Sequence, residues 1–216
     1  MKRLAWLFAA LALAGCGGGE SASPPATTGS GEGGPCREVA EPQPKPEATL
    51  EAPAELLDAA TEHRVRVETS CGAFTITLDP ADAPRAASSF AALAGRGFYD
   101  GTVFHRIVPG FVVQGGDPTG TGFGGPGYST VDPPPAGTTY PRGAAAMAKG
   151  SADPAGTAGS QFFVVTADAA LPPDYAVIGR VTDGLDTIDR IEALGDAQTE
   201  LPRRPVVVDR MTVEEG

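Results

Sequence analysis

The sequence predicts a mainly β protein, folded as an antiparallel barrel that two α-helices cover. Its 216 residues contain many short segments of alternating apolar and polar residues, separated by turns rich in glycine and proline. Only two segments show the apolar spacing of an amphipathic helix, and they lie far apart in the chain. With 41% hydrophobic residues, the chain can form one core of ordinary domain size.

The first predicted elements are a β-hairpin and a helix. Residues 64–69 and 73–78 alternate in polarity, and a tight turn at residues 71–72 joins them. Pro84 stands where a first helical turn accepts proline, so we expect a helix from there to about residue 94.

The most informative stretch covers residues 102–117 and reads TVFHRIVPGFVVQGGD. Its Pro-Gly turn signal predicts a hairpin of two strands. In an extended chain, one face would carry Val103, His105 and Ile107, and the other Phe104, Arg106 and Val108. A guanidinium, an aromatic ring and an amide brought together in this way can hold a peptide. The alternative is an ordinary barrel hairpin with a buried arginine stem.

The later elements continue the β pattern. The sequence predicts strands at residues 143–148, 162–166, 176–181 and 205–213, and a second amphipathic helix at 183–194. It predicts loops at residues 130–139 and 149–159.

A glycine-rich loop follows the central hairpin. Gly120, Gly122 and Gly125 fit the spacing G-x-G-x-x-G. A dinucleotide site needs a helix directly after this motif, and Pro126-Gly127 prevents one. We therefore reject the dinucleotide interpretation.

Composition excludes several classes of function. A formal net charge of −11 disfavours nucleic acid or a polybasic membrane contact as partner. Two histidines and three cysteines form no metal-ligand pattern and no setting for a catalytic triad. We expect no metal, no cofactor and a monomer.

The N-terminus indicates export. Lys2 and Arg3 precede a short apolar run, and Leu13-Ala14-Gly15-Cys16 resembles the lipobox of bacterial lipoproteins. This resemblance implies a signal peptide over residues 1–15 and lipidation of Cys16. A plain secretory signal is the alternative.

The predicted tether comprises residues 16–60, rich in Gly, Pro, Ser and Glu, and the folded domain comprises residues 61–216. The spacing of residues 51–63 also fits a short helix. In an exported chain, Cys36 and Cys71 are candidates for a disulfide, with two free thiols as the alternative.

Two long motifs resemble the signatures of the cyclophilins, a family of peptidyl-prolyl cis-trans isomerases. They are FHRIVPGFVVQGGD at residues 104–117 and GSQFF at residues 159–163. The resemblance covers residues 64–213. It implies a closed eight-stranded antiparallel barrel with a helix over each end.

The resemblance also implies a site for proline-containing segments of other proteins. Its catalytic residues would be Arg106, Phe111 and Gln114. Arg106 matches the catalytic arginine, whose donor would stabilise the twisted amide at the proline nitrogen. Residues that match substrate-binding positions are Val112, Gly122, Ala148, Lys149, Gln161, Phe163, Leu171 and Tyr175.

Some positions depart from the usual family pattern. Lys149 replaces an asparagine, Val112 a methionine, and Tyr175 a histidine found in many eukaryotic members. Ala170 stands where many of those members have a tryptophan important for cyclosporin binding, which predicts weak inhibition by cyclosporin.

Taken together, the sequence predicts a prolyl isomerase that is exported, lipid-anchored to the bacterial cell membrane, and folded outside the cytoplasm. It would assist the folding of exported proteins. The alternative is a peptide-binding chaperone or scaffold that uses the same groove with little turnover.

Overall fold

The computed structural model describes residues 34–216. The helices in this range are α1 (Pro84–Gly95) and α2 (Leu185–Glu192). The strands are β1 (His63–Thr69), β2 (Gly72–Leu78), β3 (Arg106–Val108), β4 (Val112–Gly115), β5 (Thr130–Val131), β6 (Ala144–Met147), β7 (Thr157–Ala158), β8 (Phe162–Val165), β9 (Val177–Asp183) and β10 (Val208–Glu215).

Eight strands form one curled antiparallel sheet, in the order β10-β1-β2-β9-β6-β8-β4-β3. The concave side of the sheet holds the main hydrophobic core, to which α1 contributes Phe90 and Leu93 and α2 contributes Ile188 and Ile191. The predicted hairpins, β1–β2 and β3–β4, are confirmed. Two short strands, β5 and β7, pair with each other inside segments predicted to be loops.

The prediction of a closed barrel is wrong, because no ladder joins the edge strands β3 and β10. An isolated bridge between Val103 and Val207 spans this seam. Backbone hydrogen bonds from Phe104 N to Val206 O and from Val208 N to Thr102 O flank the bridge. The seam has no ladder because β3 is only three residues long and the chain before it is irregular.

The predicted alternation of residues 102–108 is also wrong. Phe104 and Ile107 both enter the main core, although they were assigned to opposite faces. Regular strand geometry begins only at Arg106, so the period of two does not extend back through Phe104 and His105.

The second helix is shorter than predicted. Strand β9 continues to Asp183, and Gly184 then adopts a φ of 78° before α2 begins at Leu185. A left-handed glycine at this point ends the strand and redirects the chain into the helix.

Residues 34–62 contain no helix, so the helical option for residues 51–63 is not realised. Their backbone nevertheless forms hydrogen bonds with the domain. Arg37 N donates to Ser70 O (2.7 Å), Lys45 N to Pro118 O (2.9 Å) and Leu50 N to Pro126 O (2.8 Å). The predicted boundary at residue 61 and the predicted tether stay predictions, and these hydrogen bonds show where residues 34–60 contact the domain.

The structure joins Cys36 and Cys71 in a disulfide, which links this segment to the turn between β1 and β2. The predicted signal peptide and lipidation site at Cys16 lie outside the described residues. Within residues 34–216, no helix has the length and apolar character needed to span a membrane.

Candidate active site

Three neighbouring strands, β4, β6 and β8, are apolar on both faces apart from Gln114 of β4. Along β8, Phe162 and Val164 point into the main core, whereas Phe163 and Val165 join a second cluster on the convex side. The buried residues of this outer cluster are Val112, Tyr140, Ala144, Ala146, Phe163 and Val165. An antiparallel sheet usually turns polar residues outward, so an apolar convex face indicates a binding surface.

Partly buried side chains surround the outer cluster. They are Val108, Phe111, Ala148, Ala169, Leu171, Tyr175 and Val177. The Tyr175 ring meets Phe163 edge to face, with 5.4 Å between ring centroids. The predicted pocket residues Phe111, Val112, Phe163 and Leu171 therefore belong to one contiguous apolar site.

Polar groups lie along one side of this site. The register places Arg106 opposite Gln114, and Gln114 opposite Phe163. Arg106 Nη1 donates to Gln114 Oε1 (3.3 Å), and Gln114 Nε2 donates to Gln161 Oε1 (3.1 Å). Arg106 keeps about a third of its side-chain surface exposed, so the guanidinium borders the apolar site without being buried in it.

Gln161 connects this network to the glycine-rich loop. Its Nε2 donates to the carbonyls of Gly122 (2.9 Å) and Gly124 (3.1 Å). The predicted site residues Gly122 and Gln161 are therefore joined by a hydrogen bond on the polar side of the site.

Asp117, which the sequence analysis did not assign to the site, holds that loop. Its buried carboxylate accepts hydrogen bonds from Thr119 N (2.7 Å), Thr119 Oγ1 (2.9 Å) and Gly122 N (2.5 Å). Burial raises the pKa of Asp117, but these hydrogen bonds outweigh burial and keep the pKa below its ordinary value. The lowered pKa keeps Asp117 ionised at neutral pH, and the loop donates hydrogen bonds to the ionised carboxylate. An aspartate directly before a glycine-rich turn was the available signal.

Glu200 is a second residue that the sequence analysis missed. Its Oε2 accepts a hydrogen bond from Arg106 Nε at 2.7 Å, which forms a salt bridge at the edge of the site. The two residues are 94 positions apart, so local sequence carries no signal of this contact.

Lys149 and Ala148 follow β6 at the other end of the site. Lys149 Nζ contacts Asp174 Oδ2 (2.9 Å) and Asp153 O (3.0 Å), and its side chain is only 4% exposed. The hydrogen bond to Asp174 raises the pKa of Lys149. Among the described residues, the backbone N–H and C=O of Lys149 have no partner, so they are free to bind an extended peptide.

His105 lies behind the glycine-rich loop rather than in the apolar site. Burial lowers its pKa, so the ring is neutral at neutral pH.

The site as a whole combines an apolar cluster, a guanidinium held by two partners and backbone groups that have no partner among the described residues. Such a surface can seat a compact apolar ring, place a cationic donor beside it and pair with an extended chain. In residues 34–216, no group of three or more His, Cys, Asp or Glu side chains could hold a metal. The fold and the site together are typical of a β protein that binds peptides beside an arginine at the border of an apolar cluster.

Comparisons with known proteins identify the family. Residues 64–213 match the family described as cyclophilin type peptidyl-prolyl cis-trans isomerase/CLD. The chain is 42% identical over 145 residues to peptidyl-prolyl cis-trans isomerase-like 1 of Neurospora crassa, covering 65% of this chain and 86% of the relative. It is 47% identical over 112 residues to peptidyl-prolyl cis-trans isomerase B of Bacillus subtilis, covering 50% and 76%.

The fold agrees with these relatives. A crystal structure of a cyclophilin type peptidyl-prolyl cis-trans isomerase from Cryptosporidium parvum superposes with a TM-score of 0.65 at 32% identity, covering 72% of this chain and 99% of that one. The chain therefore belongs to the cyclophilin-type peptidyl-prolyl cis-trans isomerases, and its activity is isomerisation of peptidyl-prolyl bonds. The predicted catalytic and substrate-binding residues lie in or beside the outer cluster and its polar border, Cys36 and Cys71 pair with each other elsewhere, and the roles of all these residues stay predictions.

Proposed function

We propose that the outer cluster seats the proline ring of a substrate and that Arg106 stabilises the twisted peptide bond. The observation that carries this proposal is the position of Arg106, held by Gln114 at the border of the apolar site. Rotation about the X-Pro bond faces a barrier of about 18–20 kcal/mol, which arises from conjugation of the nitrogen lone pair. A donor directed at the proline nitrogen binds the twisted state better than either planar state, because only twisting localises that lone pair.

The other site residues contact the substrate or orient Arg106. Phe111, Phe163 and Leu171 supply apolar contact for the ring. Gln114 orients Arg106, and the free backbone groups of Lys149 hold the residue before proline. A crystal structure of the Cryptosporidium parvum relative was determined in the presence of the dipeptide Ala-Pro, with a TM-score of 0.65, which supports a proline-containing substrate.

Exchange NMR on a short X-Pro peptide tests this assignment. We expect the protein to accelerate cis-trans exchange and Arg106→Ala to abolish the acceleration while remaining folded. A peptide that binds to the parent without faster exchange would instead support the chaperone or scaffold alternative.

We further propose that the protein is exported, monomeric and lipid-anchored at Cys16, and that it acts on unfolded segments of exported proteins. The lipobox-like residues 13–16 support the anchor. The Cys36–Cys71 disulfide supports an oxidising compartment.

Mass spectrometry of the protein from membrane fractions of a bacterial host tests the anchor. We expect a chain that begins at a lipidated Cys16, and loss of membrane association on Cys16→Ser. A soluble chain that retains Met1 would contradict the proposal.

A further inference from the structure

We propose that Glu200 is a positioning residue for prolyl isomerisation, because it fixes the orientation of Arg106. This inference rests on the catalytic role proposed for Arg106. The arginine lies on an edge strand with only three residues, so the strand alone does little to restrict its long side chain. A carboxylate on Nε and an amide oxygen on Nη1 together define the plane of the guanidinium.

The way in which Arg106 shares its N–H donors between two partners favours a catalytic role for this residue. Glu200 occupies Nε and Gln114 occupies Nη1, and within the described residues Nη2 has no acceptor. These contacts use Nε–H and one N–H of Nη1, so the two N–H groups of Nη2 remain for the substrate. Lysine also has three donors, but they share one atom on a flexible stem, so lysine could not hold them in a fixed plane as arginine does.

Hydrogen bonds of the backbone around Glu200 hold this residue in place. Glu200 O accepts a hydrogen bond from Ile107 N (2.8 Å), the residue directly after Arg106. Glu200 N donates to Asp196 O (2.8 Å), and the Asp196 carboxylate accepts from the N–H groups of Gln198 and Thr199. The loop thus bonds to β3 through its backbone and to the arginine through its side chain.

The conformation of Glu200 is unusual. It has a φ of 60° and is the one non-glycine residue with positive φ in the described chain. A left-handed glutamate costs conformational energy that glycine would avoid. Glu200 adopts this strained conformation and its carboxylate bonds to Arg106. The contact with Arg106 therefore offers a reason for glutamate rather than glycine at this position.

The first test compares Glu200→Gly with the parent, since glycine suits a backbone φ of 60° and removes the side chain that bonds to Arg106. We expect kcat to fall about tenfold, because misplacement of a catalytic group by about 1 Å costs up to about 10²-fold. KM should change less than about twofold, because the apolar contacts that bind the proline remain. Glu200→Gln keeps a carbonyl oxygen for Arg106 Nε and should recover most of kcat.

Asp189→Ala is the matched control. Asp189 forms a salt bridge with Arg142 and is 51% exposed, compared with 47% for Glu200. Its partner arginine is 41% exposed, compared with 35% for Arg106. Loss of this pair should leave kcat and KM at parent values.

The second readout is the Nε–H resonance of Arg106 in NMR spectra of the folded protein, assigned by its absence in Arg106→Lys. We expect it to shift and to exchange faster with water in Glu200→Gly. Parent kcat in Glu200→Gly together with an inactive Arg106→Ala would overturn the role of Glu200 alone. Activity that survives Arg106→Ala would overturn the proposed mechanism instead.

Discussion

The two faces of strands β4, β6 and β8 have nearly the same composition but different surroundings. On the concave face, Met147, Phe162 and Val164 have no exposed surface, because the rest of the curled sheet and the helices enclose them. On the convex face, Phe163 is surrounded by loops that leave Phe111 and Tyr175 partly exposed. A shift of one residue along a strand therefore decides whether an apolar side chain stabilises the fold or is available to a ligand.

Polar groups also differ between the concave and the convex face. Inside, the Tyr99 hydroxyl donates to Ser160 O, and burial raises the pKa of Tyr99 well above its ordinary value, so the phenol stays neutral. Outside, Arg106 and Glu200 form a half-exposed ion pair beside the apolar cluster. The convex face combines apolar contact with charge because its water-accessible border permits charged side chains.

The largest expected difference between the faces concerns two adjacent phenylalanines. Phe162→Ala should lower the free energy of unfolding by about 3–5 kcal/mol, because Phe162 packs against Phe90, Tyr99 and Phe104. Phe163→Ala should cost roughly half as much, since the convex side can admit water, but it should raise KM. Urea unfolding and peptide kinetics measure both effects. If Phe162→Ala and Phe163→Ala lowered the free energy of unfolding equally, the proposed difference between the two faces would be wrong.

The second prediction concerns Arg106, the charged residue on the convex face. Arg106→Ala should lower kcat/KM by about 10²–10³-fold, the usual cost of a lost transition-state donor. Its free energy of unfolding should change by less than about 1 kcal/mol, because the lost ion pair is half-exposed. Exchange NMR and thermal unfolding provide the two values. A large loss of stability with intact activity would assign Arg106 to the fold instead.

The third prediction concerns Asp117, whose loop forms the border between core and groove. Because the folded pKa lies below the ordinary value of about 3.9, ionised Asp117 contributes stability above that value, and this contribution is lost as the pH falls through the folded pKa. Asp117→Asn should lower the free energy of unfolding by about 1–3 kcal/mol at neutral pH, because it replaces a multiply bonded carboxylate.

Urea unfolding of both proteins from pH 7 to pH 2 checks this titration. The difference between parent and Asp117→Asn should shrink in acid, because protonated aspartate resembles asparagine in charge. A constant difference across the range would show that ionisation of Asp117 does not matter.

The smallest expected effect tests the exposed border of the convex face. Ala170 is exposed and offers little contact area, so cyclosporin should inhibit the parent weakly. Ala170→Trp should strengthen inhibition by up to about tenfold, since an aromatic contact contributes about 0.5–1.5 kcal/mol. Titration of cyclosporin in the peptide assay measures the change. Low nanomolar inhibition of the parent would contradict the prediction.

Much of this architecture could be predicted from local sequence. Alternating polarity predicted β1 and β2, and the Pro-Gly turn predicted the pairing of β3 with β4. The continuous apolar run of β8 also carried information, because both of its faces are buried. The predictions failed where local pattern was weak: two-residue strands such as β5, and the irregular chain before Arg106.

The amino-acid sequence by itself predicted the main hairpins and both helices, and the resemblance of two motifs to those of the cyclophilins implied that Arg106, Gln114 and Phe163 belong to one site. Short-range periodicity and turn chemistry are sufficient for the hairpins and the helices, because these elements depend on neighbours in the chain. Only the tertiary structure decided that the seam beside β3 stays without a ladder and that Glu200 reaches Arg106. These outcomes depend on contacts between distant segments, whose geometry is set by packing of the whole sheet rather than by local residue preferences.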